Sequence, residues 1–164
     1  MPPLAQKALL DKTYDETLAL LVETRNYLAY KEPLDRLPNA TARLNLSCEA
    51  FRITARLTQV MAWVLIRRAV QYGEVTEAEA GDERYRLSGT EVCLDNAGCG
   101  DDGLPAALRS LLLRSFRLYV RIGRLDAMLR GIQLVDWPVN AGAEDPPPES
   151  GAVVPMSRSS HTTS

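Results

Sequence analysis

The side chains able to bind or react are unevenly spread along the sequence, and their spacing limits the chemistry they can do. Arg52, Arg56, Gln59, Trp63 and Arg67 recur at steps of three and four, which places them on one strip of a helix. Arginine and tryptophan dominate interface energetics, so the strip is a candidate partner-binding surface. Its plainer meaning is a solvated face in which the indole covers arginine stems and adds a cation–π contact. Arg114, Arg117, Arg121 and Arg124 form a second stripe of the same spacing. Such a row could neutralise nucleic-acid phosphates or simply face water. A pI near 5.5 and a net charge of -2 make nucleic acid an unlikely partner.

Covalent and metal chemistry have little to work with. The single histidine, His161, lies in a Ser/Thr-rich terminal stretch, so the expected folded region holds no Ser-His or Cys-His pair. Cys48 sits in a helical pattern, and Cys93 and Cys99 lie in a Gly/Asp-rich stretch. Three cysteines suit reduced thiols better than a disulfide framework or a zinc site. The glycines between Ser88 and Gly103 match neither phosphate-binding spacing, and no strand precedes them. Asp101-Asp102 reads as turn chemistry. No catalytic, cofactor-binding or metal residue is expected, and the protein is not read as an enzyme.

Charge is segregated. Residues 41–73 carry five basic groups and one acidic, and residues 104–130 carry six and one; the stretch 74–103 between them carries two and nine. Either the acidic connection neutralises the basic helices within the chain, or a basic face is offered to an acidic partner. The longest uncharged run, Leu57 to Ile66, has ten residues. That is half of what spans a bilayer, so no membrane segment is expected. The first residues lack the order of a secretory signal, which predicts a cytoplasmic protein.

Three helices must position these side chains. Thr13-Tyr14-Asp15-Glu16 has capping-box spacing and predicts a helix over about residues 13–31, stopped by Pro33. Asn39 or Thr41 can cap a second helix that meets no glycine or proline until Gly73. This long helix carries two apolar seams. One is Leu44, Cys48, Phe51, Ala55, Thr58, Ala62, Leu65, Ala69 and Tyr72; the other, nearly opposite, is Leu46, Ala50, Ile53, Leu57, Val60 and Val64. One chain can hardly cover both, so a homodimer is expected, with Leu46, Ile53, Leu57, Val60 and Val64 narrowly favoured as its interface. Thr76-Glu77-Ala78-Glu79 is a second capping box starting a short helix, and residues 88–103 read as loop. Pro105 opens the third helix, which ends at Gly131 and carries the seam Leu104, Leu108, Leu111, Ser115, Leu118, Ile122, Leu125, Leu129.

The resulting expectation is an all-α protein, an antiparallel three-helix bundle with a long central helix and a disordered C-terminal tail. Its parts are a flexible N-terminus (1–12), the bundle (13–131) and the tail (132–164), which turns polar and proline-rich after Val139.

The stretch from Cys48 through Phe51-Arg52-Ile53, Trp63-Val64-Leu65-Ile66-Arg67-Arg68 and Val70 to Gly73-Glu74 and Thr76 resembles the RcdA family, regulators of CtrA degradation in alphaproteobacteria. Arg86-Leu87-Ser88-Gly89-Thr90, Leu104-Pro105-Ala106-Ala107-Leu108-Arg109 and Arg124-Leu125-Asp126 fit the same pattern, so the resemblance covers residues 13–131. Cys93, Cys99 and the length of the acidic loop depart from it. The resemblance implies a dimer of helical bundles with flexible ends. It also implies a non-enzymatic adaptor that helps deliver cell-cycle regulator substrates to the ClpXP protease, alongside a receiver-domain priming adaptor and a cyclic-di-GMP-responsive partner. The alternative from the residues alone is a helical nucleic-acid-binding regulator using the third helix.

Overall fold

The computed structural model describes residues 3–31, 39–100 and 103–131, and these are helical with no strand among them. The expected disordered tail, 132–164, lies outside the described residues. Five helices follow in order: α1 (Pro3–Asn26), α2 (Ala40–Gln71), α3 (Glu77–Ala80), α4 (Thr90–Cys93) and α5 (Ala106–Leu129). A π-turn at Tyr27–Lys31 closes α1.

The ends of α2 and α5 follow from local chemistry. The Asn39 side chain accepts from Ala42 N at 2.8 Å, and Gly73 leaves α2 at φ +72°. Pro105 precedes α5, and Gly131 ends it at φ +68°. The Thr76 box is complete: Glu79 N donates to the Thr76 hydroxyl at 3.2 Å, and Thr76 N donates to the Glu79 carboxylate at 2.9 Å. These bonds hold the Glu79 carboxyl below its ordinary pKa. The stretch expected as loop contains α4 and a 3₁₀ turn at Ala97–Gly100.

Helix α1 starts ten residues before the expected position, so residues 3–12 are helical rather than flexible. Thr13 is buried within it and donates to Leu9 O at 2.8 Å instead of capping a terminus. Thr17 and Thr24 bond backward in the same way, to Thr13 O and Leu20 O. The inward seam of α1 is thus Leu10, Thr13, Thr17, Leu20, Thr24 and Tyr27, all buried. Tyr14, Leu18, Leu21 and Leu28, which also recur at helical spacing, lie half-buried to exposed. A threonine whose hydroxyl reaches the carbonyl four residues back presents only its methyl outward, which lets it act as a core residue.

Cross-helix pairs fix the directions. Glu16 meets Arg121 and Glu23 meets Arg114, so α1 and α5 are antiparallel. Asp11 meets Arg68 at 3.6 Å, and the Arg68 guanidinium lies over the Tyr14 ring, so α1 is antiparallel to α2 as well. Arg56 meets Ser115 and Trp63 meets Asp126, so α2 and α5 run parallel to each other. A parallel pair needs a return connection along its whole length. Residues 72–105 provide it, with Glu77 beside Arg67, Ser88 beside Gln59, Cys93 and Asp95 beside Arg56, and Gly98 against Glu49. At Gly98 an added Cβ would lie 2.5 Å from the Glu49 carboxyl carbon, so a larger residue there would push the end of the Glu49 side chain aside.

The core corrects one expectation outright. Ile53, Leu57, Val60 and Val64 are fully buried within the single chain, and Leu46 is 2% exposed. They pack with Leu108, Leu111, Leu118 and Ile122 of α5 in one cluster. Proposed as a dimer interface, these five residues are instead the floor of the bundle, because α1, α5 and the return connection together cover that side of α2.

Candidate functional site

The α2 strip expected at a partner interface is largely internal. Arg56 is fully buried. Its Nε donates to Cys93 O at 2.8 Å, Nη1 to Leu112 O at 3.0 Å and Ser115 Oγ at 3.4 Å, and Nη2 to Asp95 O. Its guanidinium also lies 5.0 Å from the Phe116 ring centroid. One side chain therefore ties the return connection to α5 across α2, the kind of planar multiple donation that arginine supplies. Trp63 is equally internal and donates from Nε1 to Asp126 Oδ1 at 2.7 Å. Arg67 is 6% exposed, stacks on Trp63, and donates to Glu77 Oε2 at 3.2 Å. Arg130 completes this cluster with 3.1 Å bonds to both Asp126 oxygens and a 3.0 Å bond to Gly81 O.

Arg56, Trp63 and Arg67 are thus corrected from surface to structural residues, because the acidic return connection lies over them. Arg52 and Gln59, at the edge of the strip, remain half-buried. Arg52 bridges Glu49 and Asp95, and Gln59 accepts from the Ser88 hydroxyl at 3.0 Å. The bond to Glu49 pushes the Arg52 pKa upward. Neutralisation of the basic helices within the chain is therefore what these pairs record.

The α5 stripe stays at the surface, and acids of α1 face part of it. Arg114 donates to Glu23 at 2.9 and 2.6 Å, and Arg121 donates to Glu16. The bond to Glu23 raises the Arg114 pKa. Arg117 is exposed and Arg124 half-buried. Arg114 and Arg121 are thus matched before any phosphate arrives. Exposed pairs of this kind contribute little to stability, and they lower the local positive potential.

Among the described residues, two apolar surfaces are exposed. The first is the other seam of α2: Leu44 is 63% exposed, Phe51 75%, Leu65 51% and Tyr72 58%, with Cys48 also exposed. The seam extends about 42 Å at the helical rise. Natural monomers rarely leave so long an apolar row uncovered. The second is a groove of about 870 Å³ between α1 and α5, where Leu18, Val22 and Leu111 lie between the polar rims of Asp15 and Ser110. The α2 seam was visible in the sequence as one of two alternatives. The groove was not, because it depends on which faces of α1 and α5 turn outward.

Behind these surfaces sits a buried pair of weak acids. Tyr119 is fully buried, and its hydroxyl donates to Ser88 O at 2.9 Å beside the Cys93 thiol. Burial pushes both acids above their ordinary pKa values, so both are neutral and unsuited to nucleophilic work. Among the described residues no cluster of three or more histidine, cysteine or carboxylate groups could hold a metal. Among them, too, no helix is long and apolar enough to cross a membrane.

Residues 1–141 match the family described as "Protein of unknown function (DUF1465)". The fold is similar to the crystal structure of RcdA from Caulobacter crescentus CB15, with a TM-score of 0.60 and 34% sequence identity. That match covers 76% of this chain and 93% of RcdA. No curated protein sequence matches. A family match over most of the chain, joined to this likeness over nearly all of RcdA, makes the protein a member of the DUF1465 family alongside RcdA.

Proposed function

We propose that the protein is a non-enzymatic adaptor of regulated proteolysis in the cytoplasm, helping to deliver cell-cycle regulator substrates to the ClpXP protease. The observation that carries the reading is the 34% identity to RcdA over 93% of its length. An adaptor works by raising the effective concentration of a substrate near the protease, turning a weak encounter into an intramolecular one. That requires open surfaces rather than bond-making residues, and the α2 seam and the α1/α5 groove are such surfaces. In this reading the protein is a homodimer joined along Leu44, Phe51, Leu65 and Tyr72, because the opposite seam is already used by the bundle. The groove and the exposed Arg117 are left for substrates, the priming adaptor or the cyclic-di-GMP-responsive partner. The pairing of Arg114 and Arg121 with α1 carboxylates argues against a nucleic-acid-binding role for the α5 stripe. Degradation reconstituted from purified protease, priming adaptor and substrate tests the proposal. Addition of this protein should accelerate loss of at least one substrate, and deletion of residues 140–164 should impair that delivery. Equal rates with and without the full-length protein for every substrate would refute it.

A further inference from the structure

The exposed seam of α2 is made of two rows, each taking every seventh residue. Leu44, Phe51, Thr58, Leu65 and Tyr72 form a row that is large except at Thr58, and its four large members are 51–75% exposed. Cys48, Ala55, Ala62 and Ala69 form a row that is small throughout and exposed to half-buried. Two such rows, at an average step of 3.5 residues, make the seam of a left-handed helix pair crossing at about 20°. Neither row holds a charge. The charged residues directly flanking them, Arg52 and Arg68, are already paired with Glu49, Asp95 and Asp11 of the same chain. The seam therefore suits an apolar protein surface. Phe51 and Tyr72 leave on the order of 100–150 Å² each to be covered. With Leu44 and Leu65 the total is on the order of 500 Å², over half of the roughly 800 Å² that each partner buries in a standard interface.

A second copy of the chain fits this seam in one direction. In a parallel two-fold pair each row meets its own counterpart, large on large and small on small, and the levels cannot all close-pack. In an antiparallel pair the large row of each helix lies along the small row of the other. We infer that two copies join α2 to α2 antiparallel, about a two-fold axis that passes beside Ala55 and Thr58. Leu44 then lies against the partner's Ala69, Phe51 against the partner's Ala62, Leu65 against the partner's Cys48 and Tyr72 against the partner's Thr41. Symmetry makes each contact twice. This rests on the reading of the protein as a homodimer joined along the seam, and adds its direction and register. Sliding one helix by seven residues either way also sets large against small. It carries Leu44 or Tyr72 past an end of the partner's α2, which spans Ala40–Gln71, so the central register covers the most apolar surface.

Cys48, exposed in the single chain, makes the register readable by cross-linking. The parent for the experiment is the full-length chain carrying Cys99→Ser, in which Cys93 is buried. Residues 48 and 65 of one chain are about 25 Å apart along the helix, so a disulfide between those positions must join two chains. Under a mild thiol oxidant, Leu65→Cys should give at least about tenfold more linked dimer than the parent, because only thiols on α-carbons within about 7 Å can bridge. Adding Cys48→Ala should abolish the link, and Tyr72→Cys should not link. Leu44→Cys with Ala69→Cys, placed on Cys48→Ala, tests the same register from the other end and should also link. Linking of the parent through Cys48 would show a parallel pair, and linking of Tyr72→Cys alone would show the shifted register. Either result, or failure of both designed pairs to link, overturns the inference while leaving the homodimer reading intact. A single-chain mass by sedimentation at tens of micromolar would overturn both. Alkylation of Cys48 would then assign the seam to another protein if fast, or to the chain's own residues if slow.

Discussion

Replacing Arg56 by methionine should destabilise the protein by about 2–4 kcal/mol, and the structure indicates how. Four acceptors on two parts of the chain, the return connection and α5, converge on one buried guanidinium. Leu112 O also accepts from the Ser115 hydroxyl, so losing Arg56 there costs little. Asp95 is exposed and its carbonyl can regain water. Cys93 O is the acceptor left buried, and hydrogen bonds to a charged group are worth roughly 1.5–3 kcal/mol each. Methionine keeps an apolar stem against Phe116 and removes the desolvation cost of the guanidinium, which offsets part of the loss. Arg56→Lys preserves the charge without the fork and should still lose about 2 kcal/mol, which separates geometry from charge. Urea unfolding at 25 °C measures both variants. Hydrogen exchange should show residues 88–98 losing protection before α1. A methionine variant within about 0.5 kcal/mol of the wild type would refute the assignment of Arg56 as the tie between the return connection and α5.

Trp63→Phe keeps the ring in the core but removes the donor to Asp126, and should cost about 1–2 kcal/mol by thermal or urea melting. Tyr119 and Cys93 have folded-state pKa values raised by burial, so folding holds their protons. Their contribution is complete below the ordinary thiol and phenol values of 9.0 and 10.0 and is lost as pH rises beyond them. Unfolding free energy measured from pH 8 to 11 should therefore fall, less steeply in Tyr119→Phe; a flat profile in the wild type contradicts this. Phe51→Glu with Leu65→Glu should halve the sedimenting mass while keeping the far-UV helix signal, because both side chains are exposed in the single chain. Ile53→Glu, a charge in a fully buried site, should lose that signal instead.

What the sequence determined by itself is the local chemistry. Asn39 and Gly73 bound α2, Thr76 and Glu79 close a capping box, and Pro105 and Gly131 bracket α5, because caps and turns act through neighbouring backbone groups. The α5 seam was legible from Leu104 to Ile122 for a related reason, since a helical period names an inward face, whereas its expected last members, Leu125 and Leu129, are half-buried and exposed. Tertiary structure decided the rest. Thr13-Tyr14-Asp15-Glu16 satisfies the capping pattern equally well in mid-helix. Whether the hydroxyl bonds forward or back to Leu9 O depends on residues 3–12 being helical, with Leu10 packed into the core. The two α2 seams have the same periodicity, so no local signal says which one faces inward. Nor could the strip of Arg56, Trp63 and Arg67 be recognised as interior. Only the parallel course of α2 and α5 forces residues 72–105 back over them, where main-chain carbonyls and the carboxylates of Glu77 and Asp126 make it possible to bury a guanidinium and an indole N–H.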